Sequence, residues 1–311
     1  MPLIEDITKY STLSIAGTEK NTGKTECLNY ILRRLPRSLT VAVTSVGVDG
    51  ELTDSVTGTP KPEITLRQGT VFATSETDYA SRRIVSEVLD VGFRRSATGR
   101  IVTARALSDG RVRLSGPSSA AEIGRWQRRA ERYGAGLTII DGALSRLSSA
   151  SPEVSEAMVL ATGASLSATL ETLVRQTAWT VRKILLPEAS EAEADITVGS
   201  MTAACALKKE NLKAVGKIAF SGALTDRVLS KFVMSAPCEV AVEDFTKIFC
   251  SEESYRAFCN AGGRLSLRRR NTLLAVCVNP TSPNGVRLDS EKLCREIEAA
   301  TGVKTYDIMC Q

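Results

Sequence analysis

Leu13-Ser14-Ile15-Ala16-Gly17-Thr18-Glu19-Lys20-Asn21-Thr22-Gly23-Lys24-Thr25 begins as an apolar run, crosses a polar loop between two glycines and closes on Gly-Lys-Thr. Beyond it, Leu28, Ile31, Leu32 and Leu35 recur at helical spacing until Pro36 stops the pattern. The stretch therefore reads strand, loop, helix, which is how a phosphate-binding loop looks in sequence. Glycines let backbone amides come close to a polyphosphate, and a following helix adds unpaired N–H groups and a positive dipole end. Gly17, Thr18, Asn21, Thr22, Gly23, Lys24, Thr25 and Glu26 are the candidate nucleotide contacts. Lys24 would reach the outer phosphates, and the Thr25 hydroxyl would ligate Mg2+.

Composition narrows the rest. The 311 residues suffice for one large α/β domain or two smaller ones. Apolar content of 43% and charged content of 24% are ordinary for a globular chain. A net charge of +5 gives no nucleic-acid signature, and Arg268-Arg269-Arg270 reads as a solvated strand end or turn. No apolar stretch reaches the ~18 to 20 residues that cross a bilayer. The N-terminus lacks a basic and apolar export signal, so a cytoplasmic protein without membrane contact is expected. The eight cysteines form no Cys-x-x-Cys and read as core residues. The absence of histidine matters more. It excludes Ser-His-Asp and Cys-His catalysis and leaves carboxylates, lysine, hydroxyls, amides and a bound ion to do any chemistry.

The remaining pattern alternates strands and helices. Strands are expected at Thr40 to Val46, Gly69 to Thr74, Val91 to Arg94, Arg100 to Ala106, Val112 to Ser115 and Leu137 to Ile140. Later ones fall at Ile184 to Leu186, Lys217 to Phe220, Glu239 to Val242, Asn271 to Val278 and Val303 to Ile308. Helices are expected at Asp78 to Leu89, Ala120 to Tyr133, Glu153 to Thr162, Ala168 to Lys183, Leu224 to Met234, Glu252 to Ala261 and Ser290 to Ala300. Asp109-Gly110 reads as the turn of a hairpin joining the strands on either side. The pattern implies an α/β fold of three layers, with a mostly parallel sheet and helices on both faces. We expect a single domain over residues 1–311, with Ser190 to Asp195 as the candidate boundary between two lobes.

Gly17-Thr18 followed by Gly23-Lys24-Thr25 makes a loop one residue longer than the common form. Gly-Thr-x-x-x-x-Gly-Lys-Thr resembles the loop of dethiobiotin-synthetase-like P-loop proteins, in the broader group that contains the MinD ATPases. Asp141-Gly142-Ala143, after Leu137 to Ile140, is similar to that family's Glu-Gly-Ala-Gly-Gly, whose acid serves magnesium and the phosphates. A buried strand that ends in a carboxylate also has the general Walker B arrangement, the reading favoured here over an aspartate that caps a turn. Asp49 lies where related ATPases place an acid for magnesium or the attacking water. Glu51 and Asp54 are equally available for that task. The resemblance further implies a base-reading loop at Asn279 and Pro280, where Asn-Pro also reads as a plain turn. The family's substrate site is not carried over: Thr44-Ser45-Val46-Gly47 replaces its Lys-Pro, and Leu144 and Ser145 replace its last two glycines.

Thr57 to Pro62, Asp141 to Arg146 and Asn279 to Pro283 also look like a P-loop family associated with adenosylcobalamin-dependent lysine 5,6-aminomutase, described as a reactivase subunit. These resemblances imply an Mg-ATP-dependent P-loop NTPase that spends hydrolysis on a partner protein, a cobalamin-dependent enzyme in the reactivase case. Lys24, Asp49 and Asp141 would be its catalytic residues, Thr25, Asp49 and Asp141 its metal ligands, and Lys61 and Arg146 candidates for stabilising transferring charge. A homodimer is open to such a chain. A small-molecule ligase or kinase, and a nucleotide-binding regulatory module that does not hydrolyse, are the alternatives.

Overall fold

The computed structural model describes residues 2–46, 64–96, 98–143, 151–212 and 214–309. In chain order its elements begin with α1 (Pro2–Ile7), β1 (Thr12–Gly17), α2 (Lys24–Arg34), β2 (Val41–Ser45), β3 (Ile64–Leu66), β4 (Val71–Ser75) and α3 (Glu76–Ala80). They continue with β5 (Ser86–Ser96), β6 (Gly99–Ala106), β7 (Gly110–Val112), α4 (Ala120–Arg132), β8 (Leu137–Ala143), β9 (Ala157–Gly163) and α5 (Leu170–Ile184). Next come β10 (Ile196–Val198), α6 (Met201–Ala206), β11 (Lys217–Phe220), α7 (Asp226–Phe232), β12 (Glu239–Val242), α8 (Glu252–Asn260) and β13 (Arg264–Leu267). The chain closes with β14 (Thr272–Asn279), α9 (Ser290–Thr301) and β15 (Thr305–Asp307).

Among the described residues, nine strands form one sheet in the order β15-β14-β9-β1-β8-β2-β4-β6-β5. From β15 to β4 every pairing is parallel, and β6 runs antiparallel to both β4 and β5. Parallel strands are buried on both faces, and β1 and β9 show it as near-continuous runs of buried residues. Leu13 and Ile15 join Cys27, Leu28 and Ile31 of α2 in one apolar cluster. Ala42, Val71 and Ala73 meet Trp126 and Ala130 of α4 in another. Helices thus flank the sheet on both sides, as the alternation implied. β8 and β9 follow each other in sequence yet pair with opposite edges of β1. Strand order reverses around β1, and in open α/β sheets the crevice at such a reversal is where ligands bind.

Several local expectations are corrected. Asp78 to Leu89 is not one helix: α3 ends at Ala80, and Ser86 begins an edge strand whose pairing with β6 is twice shifted. The expected strand at Val91 to Arg94 lies inside β5, and the shifts, which break the period-2 pattern, hid its beginning at Ser86. Glu153 to Thr162 is not helical either: Ala157–Gly163 is the strand β9, with all seven residues buried. A short run buried on both faces has no periodicity to separate strand from helix. Asp109-Gly110 does not join a hairpin: β6 turns back onto β5, and β7 pairs with β3. The Asp109 carboxylate instead accepts the Gln68 N–H at 2.8 Å. Ile184 to Leu186 is not a strand: Ile184 is the last residue of α5, and Leu185 and Leu186 follow it as a turn and irregular chain.

The chain divides into two compact units, residues 1–177 with 272–311, and residues 178–271. The division falls inside α5, and Ser190 to Asp195 lies within the second unit. That unit has its own parallel sheet in the order β10-β11-β12-β13. Ile218, Phe220, Val240, Val242, Leu265 and Leu267 alternate with smaller or polar residues on its three longer strands and are buried. Phe220 packs edge-on against Phe232 of α7, with ring centroids 5.7 Å apart. Arg268 and Arg270, just past β13, are exposed as expected of a solvated strand end. Among the described residues no helix is long and apolar enough to cross a membrane.

Candidate functional site

Everything proposed at the opening loop follows from where β1 stops. Gly17 is its last residue and pairs with Ala161 of β9 on one side and Ala143 of β8 on the other. The Thr18 N–H then donates to Ala161 O at 2.8 Å, so the chain leaves β1 along β9. A Cβ at Gly17 would meet Thr22 Oγ1 at 2.9 Å, and that hydroxyl donates to Glu19 O at 2.9 Å. The loop is therefore folded tightly on itself. Asn21 takes a left-handed φ of 60°, which asparagine tolerates better than most residues, and its carbonyl accepts the Ser165 hydroxyl at 2.9 Å.

Gly23 is the N-cap of α2, with φ 87° and ψ 15°, and it supplies no side-chain cap. By contrast α4, α8 and α9 are capped by the side chains of Ser119, Ser251 and Asp289. The first-turn amides of α2 lack intrahelical partners, and here no cap substitutes for them. Lys24 and Thr25 open this helix. Both residues and Glu26 are half-buried, while Glu19, Lys20 and Asn21 are exposed.

Asp141 arrives from the neighbouring strand. In the register of β8 it sits between Ile15 of β1 and Ser45 of β2, at the carboxyl end of the sheet. Lys24 Nζ lies 3.0 Å from Asp141 Oδ1, with side chains only 26% and 14% exposed. That Oδ1 is buried and takes no hydrogen bond. The two facts describe one contact: charge meets charge at close range, at an angle that does not make a hydrogen bond. A buried carboxylate oxygen without an aligned donor is costly unless a cation completes it. Val46, the last described residue before the segment that follows β2, donates its N–H to the main-chain carbonyl of Asp141 at 3.1 Å. Asp49, Glu51, Asp54 and Lys61 in that segment lie outside the described residues, as do Leu144, Ser145 and Arg146.

The third element is β14, whose Asn279 pairs with Gly163 at the end of β9. A Cβ at Gly163 would meet Asn279 O at 2.2 Å, and one at Gly23 would meet Asn279 Cβ at 2.7 Å. Asn279 is thus wedged between the end of β9 and the N-cap of α2. Its Oδ1 accepts the Thr281 N–H at 3.1 Å and hydroxyl at 2.9 Å, closing an Asx turn. Pro280 is buried, and its carbonyl accepts the Leu288 N–H at 2.9 Å.

The structure therefore brings together Gly17, Thr18, Asn21, Thr22, Gly23, Lys24, Thr25 and Glu26 with Asp141 and Asn279. Sequence reasoning missed Thr162 and Thr177, which stand behind Thr18. Thr18 Oγ1 donates to Thr162 Oγ1 at 3.2 Å, and Thr162 Oγ1 lies 2.9 Å from Thr177 Oγ1. Only the placement of β9 against α5 reveals that pair. The cysteines described are free, with Cys27, Cys238, Cys250 and Cys277 buried. No protein-family model matches the chain, and no curated protein sequence matches it.

Proposed function

We propose that the chain is a Mg-ATP-dependent P-loop NTPase whose hydrolysis acts on a partner protein. The observation that carries this reading is the Asp141 Oδ1 atom, buried, without a hydrogen bond, and 3.0 Å from Lys24 at an uncapped helix start. A lysine, a carboxylate and free amides converging at the carboxyl ends of parallel strands suit a polyphosphate with its divalent cation.

The residues present fit such a ligand. The amides of Gly23 to Thr25 would face the phosphates, and the Lys24 ammonium would turn from Asp141 to the outer phosphate oxygens. Thr25 and Asp141 would hold Mg2+, which supplies charge neutralisation on the phosphates when bound. Among the described residues no three acids or cysteines converge on a metal position, so phosphate oxygens and water would complete the ion's shell. The chain's own contribution is positioning and electrostatics. Asp49 is proposed to orient the attacking water. Action on a protein, including reactivation of a cobalamin-dependent aminomutase, rests on the resemblance in sequence and on the loss of the family's small-molecule site.

The test is ATP turnover by the purified chain, alone, with candidate metabolites, and with a cobalamin-dependent aminomutase. Turnover raised by the protein partner and not by metabolites is expected. Turnover that requires a metabolite would replace this reading with a ligase or kinase, and binding without turnover under every condition would leave a regulatory module.

A further inference from the structure

We propose that Thr162 and Thr177 form a hydroxyl relay that transmits occupancy of the phosphate loop into α5. The inference rests on the reading of that loop as a nucleotide site and adds to it the route by which binding is felt elsewhere. Three hydroxyls stand in line: Thr18 of the loop, Thr162 near the end of β9, and Thr177 in the middle of α5. Thr162 and Thr177 have no exposed surface, whereas Thr18 is half-buried at the loop. The line therefore runs from the site into the interior.

Thr18 gives its hydroxyl proton to Thr162, and either hydroxyl can be the donor in the Thr162–Thr177 contact. The Thr18 amide is already committed to Ala161 O at 2.8 Å, so its hydroxyl is the group left to answer a ligand. A phosphate oxygen is a charged acceptor and makes a stronger hydrogen bond than a neutral hydroxyl does. If Thr18 turns to it, Thr162 loses a partner in a place that water does not reach, and its bond to Thr177 must readjust.

Thr177 is the residue at which the first unit ends, and α5 continues unbroken to Ile184 in the second. A threonine inside a helix ordinarily bonds back to its own preceding turn. Thr177 instead reaches across to the strand beside the loop. Trp179, one turn short of the C-terminal end of α5, stacks at a tilt on Tyr255 of α8, with ring centroids 5.2 Å apart.

The test is amide hydrogen exchange over Leu170–Ile184, with and without magnesium and a non-hydrolysable ATP analogue. It compares the wild type with Thr177→Val, Thr177→Ser, Thr162→Val and Thr162→Ser. The valine variants keep the shape and lose the hydroxyl; the serine variants keep the hydroxyl. Expected is a nucleotide-dependent change in α5 exchange of at least threefold in the wild type and both serine variants. The valine variants should lose most of it while binding the analogue within threefold of the wild-type affinity. A merely structural role would alter exchange equally with and without nucleotide. The relay is overturned if either folded valine variant keeps the full change, or if the wild type binds the analogue with no change in α5. A wild type that binds no analogue overturns the loop reading itself, an outcome distinct from failure of the relay.

Discussion

Lys24 Nζ and Asp141 Oδ1, from a helix start and the end of a neighbouring strand, meet at 3.0 Å without a hydrogen bond between them. Under the proposed reading this ion pair would exchange partners, with Lys24 turning to phosphate oxygens and the Asp141 carboxylate taking the cation. The pair is partly buried, so its two members are not equivalent. Lys24→Ala leaves a largely buried carboxylate unpaired and should lower stability by about 1 to 3 kcal/mol. Asp141→Asn keeps the shape, removes the buried charge and should cost less. Urea midpoints of the two variants and of the double variant measure the order, and a double-mutant coupling near zero would contradict it.

Gly23 is constrained twice, by its left-handed φ of 87° and by Asn279 Cβ at 2.7 Å from where its own Cβ would lie. Gly23→Ala should cost about 2 kcal/mol or more, from the backbone penalty and the collision together. In an Asn279→Gly background only the backbone part remains, about 1 kcal/mol. Thermal melts of the four proteins separate the two contributions. Equal costs in both backgrounds would remove Asn279 as the wedge behind the loop.

The placement of α4 on the sheet rests on Trp126, whose Nε1 donates to Thr103 Oγ1 at 3.0 Å, both residues being buried. Thr103→Val keeps the volume and leaves the indole N–H without its acceptor, for a loss of about 1 to 3 kcal/mol. Thr103→Ser should restore most of it. Chemical denaturation followed by Trp fluorescence reads the difference.

In the second unit, burial pushes the Glu239 carboxyl up, but hydrogen bonds from Ser190 and Ser266, with the nearby Lys217 ammonium, hold it below the ordinary glutamate value. A folded value below the unfolded one contributes stability that is complete above roughly pH 4.5. That contribution is lost as the pH falls through the folded value. Unfolding measured between pH 3 and 6 (a window of roughly that width follows from the same values) should show the slope. Glu239→Gln should flatten it, and an unchanged slope would assign the acid sensitivity to other carboxylates.

The parts of the fold legible in the sequence are those where one signal was enough. At β1 and α2, buried residues, glycines and helical spacing agreed, and Pro36 closed the helix one residue past Leu35. The run at β9 was misread because residues buried on both faces carry no period, and Ala, Met and Leu suit a helix equally well. Of β5 only Val91 to Arg94 was legible, because its bulges break the alternation on either side. The second unit was only partly visible: β11 and β12 were found, but the three-residue β10 is too short for a pattern, and the division inside α5 has no linker to mark it. At the candidate site, contacts local in sequence could be read from the loop. Gly23 with Asn279, and Thr18 with Thr162 and Thr177, depend on strand order, which no spacing in the chain encodes.

The most direct test of the central claim is calorimetric titration of a non-hydrolysable ATP analogue into the wild type, Lys24→Ala and Asp141→Asn, each with and without magnesium. The account predicts binding to the wild type strengthened by magnesium. It predicts a loss of about a hundredfold in Lys24→Ala, roughly 2.7 kcal/mol, and an Asp141→Asn affinity that no longer responds to the ion. Unchanged affinity in a folded Lys24→Ala protein would contradict it.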